Sequence, residues 1–255
     1  MADASATNGC DAEPAGTQSS RAVLELRNLI VGGHIPPEER LTEVQLSERL
    51  GMSRTPIRAA IQQLRAEGLL EPLPGGGFHA RAFGPAEIAE AIELRGMIEG
   101  FAARLLAERG IAPEDFARLG ALVAEMDALF EAEDFGADQF VAYGGLNARF
   151  HAALASATGS ALVVEEARRA NARPFAAASA LVRVRGGGAA SRDHLLPAQD
   201  QHRAVLEAIR ERQGARAEAI MREHARHSER NLMKALRAKA PLTGVAGAGL
   251  IRRPA

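Results

Sequence analysis

The chain has 255 residues, 31 Lys or Arg against 32 Asp or Glu, a net charge of −1 at neutral pH and one cysteine. That length allows two modest domains with proper cores, and the near-neutral charge excludes a broadly polycationic nucleic-acid coat while leaving site-specific binding through a local patch open. The lone Cys10 excludes an internal disulfide framework and fits a reducing cytoplasm.

Residues 1–19 are rich in small and polar types and lack the basic and apolar regions of a signal peptide, so a disordered tail is expected. A first helix is expected after Thr42, where Gln45 three residues on can close a capping box and Val44, Leu46 and Leu50 can face inward. Gly51 ends it. A second helix begins near Ser53-Arg54-Thr55-Pro56, with Ser53 or Thr55 as cap and Pro56 tolerated in the first turn. Ile57, Ala60, Ile61 and Leu64 then form one buried stripe. Arg54 and Arg58, one turn apart, project elsewhere, either as a solvated face or as a pair able to reach guanine O6 and N7 in a major groove.

Leu69–Leu73, Pro74-Gly75-Gly76-Gly77 and Phe78–Arg81 read as a short hairpin whose glycine tip lets backbone amides approach phosphates. Cap, turn, arginine-bearing helix and hairpin in that order describe a winged helix-turn-helix. Residues 20–83 hold eight Lys or Arg against seven Asp or Glu, so the footprint must be a small patch.

The stretch from Gly33 to Phe78 resembles the N-terminal domain of GntR-type bacterial transcription regulators, whose typical SRTPVR-x-AL-x-x-L-x-x-EGL run is nearly reproduced here. The resemblance implies DNA contacts from Arg40, Ser53, Arg54, Thr55 and Arg58, and backbone contacts from Gly75, Gly76 and Gly77. Val44 stands where fatty-acid-responsive members carry an arginine, so their operator contacts do not transfer in full.

From Pro85 onward Ala, Leu, Glu and Arg dominate, which predicts an all-helical bundle with helices near 86–108, 114–132, 136–157, 161–184, 194–213 and 215–238. Pro174 is expected to kink the fourth. Residues 240–255 have no sustained period and are expected as a second tail. The domains therefore read as 20–83 for DNA binding and 84–239 for the bundle, in a mainly α fold. No stretch approaches the roughly eighteen consecutive apolar residues that span a membrane.

His151, His202 and His224 each stand at or beside an apolar stripe, where a lone histidine is either a satisfied residue or a ligand. Asn147 precedes His151 by one turn on the same face, so a divalent metal could bridge them. Spacing alone does not bring the other two histidines there. Residues 85–238 resemble the FCD domain of the FadR-like GntR branch, in the opening LRGMIEGFAARLLAERG, in Asn147 with Phe150-His151, in the QH-x-x-x-L-x-AI run at His202 and in the M-x-x-H ending at His224.

That resemblance implies one divalent metal held by an acidic residue and three histidines, here Asn147, His151, His202 and His224. An amide replaces the usual aspartate and brings no charge, and three neutral imidazoles suit zinc or nickel, or copper. Arg95 matches an arginine common in the first FCD helix and would hold an effector carboxylate, or else pair with Glu99 at i+4. His194 and His227 match no ligand position and are expected to be solvated.

The function expected is a cytoplasmic, homodimeric repressor that binds a short palindromic operator and answers to a small organic acid. A histidine-metal bundle enzyme is the alternative, weakened because no Glu-x-x-His pair, nucleophile elbow or phosphate loop occurs. A non-specific chromosome-organising protein is disfavoured by the near-neutral charge.

Overall fold

The computed structural model describes residues 15–131, 135–173, 175–178, 188–237 and 247–252. The chain divides into two units, Met1–Arg81 and Ala82–Ala255, two residues before the boundary expected at 83.

The first unit contains helices α1 (Ala15–Val31), α2 (Glu43–Leu50) and α3 (Arg54–Ala66) and strands β1 (Leu70–Pro72) and β2 (Phe78–Ala80). The sequence reading assigned no element to α1 and ran the tail to residue 19, yet Val23, Leu26 and Ile30 form a buried stripe against α3. Once that half is packed, each further residue adds a hydrogen bond at little cost, and the helix extends back to Ala15. The capping box on α2 is present, with Thr42 Oγ1 accepting from Gln45 N at 3.2 Å and Gln45 Oε1 accepting from Thr42 N at 3.0 Å. Val44 corrects the expectation for this helix. It is 44% exposed because it stands two residues, about 200°, from buried Leu46.

In α3 the stripe Ile57, Ala60, Ile61 and Leu64 is buried as its spacing predicts. Ser53 is the cap residue, but its side chain makes no capping hydrogen bond. The strands pair antiparallel with Leu70 opposite Ala80 and Pro72 opposite Phe78, and Leu41 bonds Phe78 through both backbone groups at 2.7 and 2.8 Å. The winged helix-turn-helix is thus closed by a third short extended segment.

The second unit contains α4 (Pro85–Arg109), α5 (Pro113–Phe130), α6 (Ala137–Ala157), α7 (Ala161–Ala172), α8 (Gly188–Arg210) and α9 (Gly214–Arg237). Two boundaries differ from expectation by more than three residues. α7 stops at Ala172 instead of 184, because Arg173 precedes a proline and takes the extended ψ of 136° that such a position favours. The expected kink at Pro174 lies outside the described residues. α8 starts at Gly188 instead of 194.

α4 packs most closely on α9. The crossing depends on Gly96, where a Cβ would sit 2.5 Å from the Cβ of Ala225. Around it Leu106, Met126, Phe150, Leu154, Val205 and Met221 belong to one buried core. Residues 247–252, inside the stretch expected as a tail, form a 3-10 turn at Ala248–Leu250 whose Leu250 carbonyl accepts from Phe83 N at 2.7 Å. Leu250 and Ile251 are buried there, which two apolar residues at a chain end achieve only by docking. No helix among the described residues is long and apolar enough to cross a membrane.

Candidate metal centre and DNA-facing surface

On the first unit, Ser53, Arg54, Thr55 and Arg58 are all exposed at the start of α3. Arg58 forks onto Glu43 of α2, Nε donating to Oε1 at 3.0 Å and Nη2 to Oε2 at 2.8 Å. That hydrogen bond holds the Glu43 carboxyl below its ordinary range. Arg40 lies at the wing instead, its Nη2 donating to the Gly75 carbonyl at 2.8 Å. Gly77 takes φ +85°, and a Cβ there would meet the Leu41 carbonyl at 2.6 Å, so the wing tip tolerates only glycine at that position. The surface offers exposed guanidiniums and a glycine-tipped loop, the donor types that bind base edges and phosphates.

In the second unit α6 carries Asn147 and His151, α8 carries His202 and α9 carries His224, and all four are buried. One nitrogen from each histidine lies within 4.8 Å of those of the other two. The ring of His202 is 4.5 Å from that of His224 and 5.6 Å from that of His151, centre to centre. Bringing these rings together in a closed core disfavours the charged forms of two of them, His202 and His224. Burial, followed by the neighbouring histidines, pushes His202 and His224 well below the ordinary imidazole range. Neutral imidazoles are what a metal requires.

The tautomer of His202 follows from its neighbours. Gln199 Nε2 donates to the Val123 carbonyl at 3.1 Å and to Asp127, so its Oε1, 3.0 Å from His202 Nδ1, must accept. His202 therefore carries its proton on Nδ1. Arg203 fixes Asp127 in turn, at 2.7 and 3.1 Å. Among the described residues, His202 Nε2, both ring nitrogens of His151, His224 Nδ1, Asn147 Oδ1 and Glu99 Oε2 have no hydrogen-bond partner. Buried polar atoms left without partners are costly, and a shared cation would satisfy one nitrogen of each histidine together with Asn147 Oδ1. Asn147 Nδ2 meanwhile donates to the Ala178 carbonyl at 2.6 Å.

Arg95 and Glu99 lie inside the bundle, 2% and 1% exposed, with Arg95 Nε 3.8 Å from Glu99 Oε2. The i+4 ion pair that the sequence offered is present. The same Glu99 oxygen lies 3.0 Å from His151 Nδ1. Burial alone would raise the Glu99 carboxyl, but the charges of His151 and Arg95 and the His151 contact override it and bring it to about 2. A cavity of about 420 Å³ opens between α6 and α7 beside His151, walled by alanines and bearing Ser156, Arg168 and Asn171. That volume suits a small organic molecule.

Comparison with known proteins adds the family. Residues 90–227 match the FCD domain, and residues 18–79 match the bacterial regulatory proteins of the gntR family. The chain belongs to the GntR family and carries an FCD domain. It is 39% identical over 88 residues to an uncharacterized HTH-type transcriptional regulator from Agrobacterium vitis, a match covering 34% of this chain and 52% of that protein. The chain thus spans about half the length of that relative. It is 25% identical over 199 residues to the Escherichia coli transcriptional repressor GlaR, covering 78% of this chain and 88% of that one. The solved structure of E. coli McbR has the same fold, with a TM-score of 0.59 at 20% identity over 87% of this chain and 98% of the other.

A GntR regulator is a DNA-binding transcription factor, so the histidine-metal enzyme considered from sequence is set aside. The FCD helices bring together His151, His202 and His224, with Asn147 one turn from His151. They do not leave His194 and His227 solvated. These two are half-buried with ring centres 6.0 Å apart, because α8 and α9 run side by side there. Glu99, Gln199 and Asp127 were missed as parts of the site. Gln199 stands three residues before His202 on the same helix face, a spacing that signals it in retrospect.

Proposed function

We propose that this GntR regulator is a homodimeric repressor of the bacterial cytoplasm, with residues 20–83 binding a short palindromic operator and residues 84–239 sensing a small carboxylate. The observation that carries the reading is the convergence of three buried imidazoles from α6, α8 and α9, one of which, His151, lines a cavity of ligand size. His151, His202 and His224 hold a divalent transition metal, zinc or nickel before others, and Asn147 Oδ1 serves as an uncharged fourth ligand. Such a metal would supply a Lewis-acidic partner for a carboxylate oxygen. Arg95 supplies a second positive group, held by Glu99 while no effector is bound.

Arg54 and Arg58 read base edges from the start of α3, with Ser53, Thr55 and Arg40 on phosphates and Gly75, Gly76 and Gly77 bringing the wing backbone close. Two such domains related by a two-fold axis need two related half-sites. The effector releases DNA by binding the two arrangements of the dimer unequally, since equal affinity would shift nothing.

A titration of the protein onto the DNA upstream of its own gene, repeated after a thermal-shift screen of mono- and dicarboxylates, hydroxy acids and sugar acids, tests the reading. Specific binding released by an acid is the expected result. Neutral ligands alone as hits would overturn the charge argument, and sedimentation as a monomer would remove the dimer.

A further inference from the structure

The ligand set of the second unit has a charge problem. Three imidazoles and an amide bring no negative charge, so a divalent ion there would sit in a buried site with its charge uncompensated by any ligand. The nitrogens distal to the ligand atoms differ in what faces them. His202 Nδ1 is hydrogen-bonded to the neutral amide oxygen of Gln199, whereas His151 Nδ1 lies 3.0 Å from a carboxylate oxygen, Glu99 Oε2, outside hydrogen-bond alignment. Among the described residues, Glu99 is the carboxylate in direct contact with a ring of the triad.

We infer that Glu99 is the positioning residue of the metal site, holding the proton of His151 on Nδ1 and supplying through that ring the negative charge that Asn147 does not bring. The inference rests on the metal reading above. A carboxylate only accepts, so facing Nδ1 it fixes Nε2 as the ligand atom. Pulling on the Nδ1 proton makes the ring a more basic donor, as carboxylates behind metal-bound histidines do. Arg95, 3.8 Å from the same oxygen, balances Glu99 before a metal arrives. Asn171 Nδ2, 3.4 Å from Oε1, holds the other oxygen and lines the cavity.

Glu99→Gln alone strands a buried guanidinium and can fail to fold, so the test compares Arg95→Met with Arg95→Met/Glu99→Gln in the full chain. Both are stripped of metal and titrated with cobalt(II). The double variant keeps a carbonyl oxygen near His151 and loses only the charge, and it should bind cobalt roughly 10–100-fold more weakly than Arg95→Met, with a cooperative metal-free melt recorded for each to show that both are folded at the titration temperature. Equal affinities would overturn the inference and leave the metal reading standing. A wild-type protein that takes up no cobalt would overturn both. A second readout needs no variant: in the zinc-loaded wild type, long-range proton–nitrogen NMR should place the His151 proton on Nδ1. A proton on Nε2 would also overturn the inference.

Discussion

Arg58 is exposed at the start of α3, and its guanidinium is engaged with Glu43 in a fork of the same shape as the one an arginine makes on guanine O6 and N7. Both partners are solvent-accessible, so the pair adds little to stability and can be exchanged for a base edge at small cost. Arg58→Ala is expected to weaken operator binding about ten- to a hundredfold with little change in the melting temperature or in binding to a scrambled duplex. Fluorescence anisotropy on both duplexes checks this, and equal loss on the two would make Arg58 a phosphate anchor. Asn147 faces two ways in a similar manner, with Oδ1 unpartnered among the described residues and Nδ2 donating to Ala178. Asn147→Asp adds a charge to the ligand set and removes that donor, setting a carboxylate against a carbonyl. Metal affinity should rise while the metal-free protein loses about 1–3 kcal/mol, measured by chelator competition and urea unfolding. An unchanged affinity would remove residue 147 from the ligand set.

At the scale of the helices, the crossing of α4 and α9 sets where His224 lies relative to Glu99, and Gly96 sets the crossing. Gly96→Ala would force a methyl group into Ala225 and should cost about 1–3 kcal/mol, and Ala225→Gly in the same chain should recover most of it. Thermal melts of the two singles and the double decide this, and independent, additive losses would show that the helices do not meet through these residues. The sequence made the helices of the bundle legible because long runs of Ala, Leu, Glu and Arg repeat at helical period, and it made α3 legible because its cap and stripe are local. It hid the first half of α1, which has no apolar stripe, whereas Val23, Leu26 and Ile30 at i, i+3 and i+7 do announce the second half. The role of Glu99 at His151 was hidden for a different reason: the two stand 52 positions apart (151 minus 99), and the pairing is a product of packing. The exposure of Val44 is readable from period alone, since two residues of helix put it on the face opposite Leu46.

For the whole chain, buried titratable groups of the second unit tie stability to pH, and the direction can be worked out from their shifts. His202 and His224 are held neutral well below the ordinary value of 6.5, so the unfolded chain binds more protons than the folded one as pH falls below 6.5, and stability is lost there. Glu99 is held to about 2 against an ordinary 4.5, so the stability it contributes is complete above 4.5 and is lost as pH falls from 4.5 towards 2. Both effects have the same sign. The melting temperature of the metal-free protein should therefore be level above about pH 7, fall by several degrees between pH 6.5 and 5, and fall again below 4.5. On the proposed metal site, added zinc should raise it at pH 7.5, because an ion held only by the folded triad favours the folded state, and that rise should vanish towards pH 5 as protons compete for the imidazole nitrogens. Replacing His202 with Leu should flatten the first fall and abolish the zinc effect together, since one buried ring is responsible for part of both. Calorimetry across this pH range with and without zinc makes the comparison. A zinc-dependent rise that persists unchanged in His202→Leu would place the metal elsewhere in the chain.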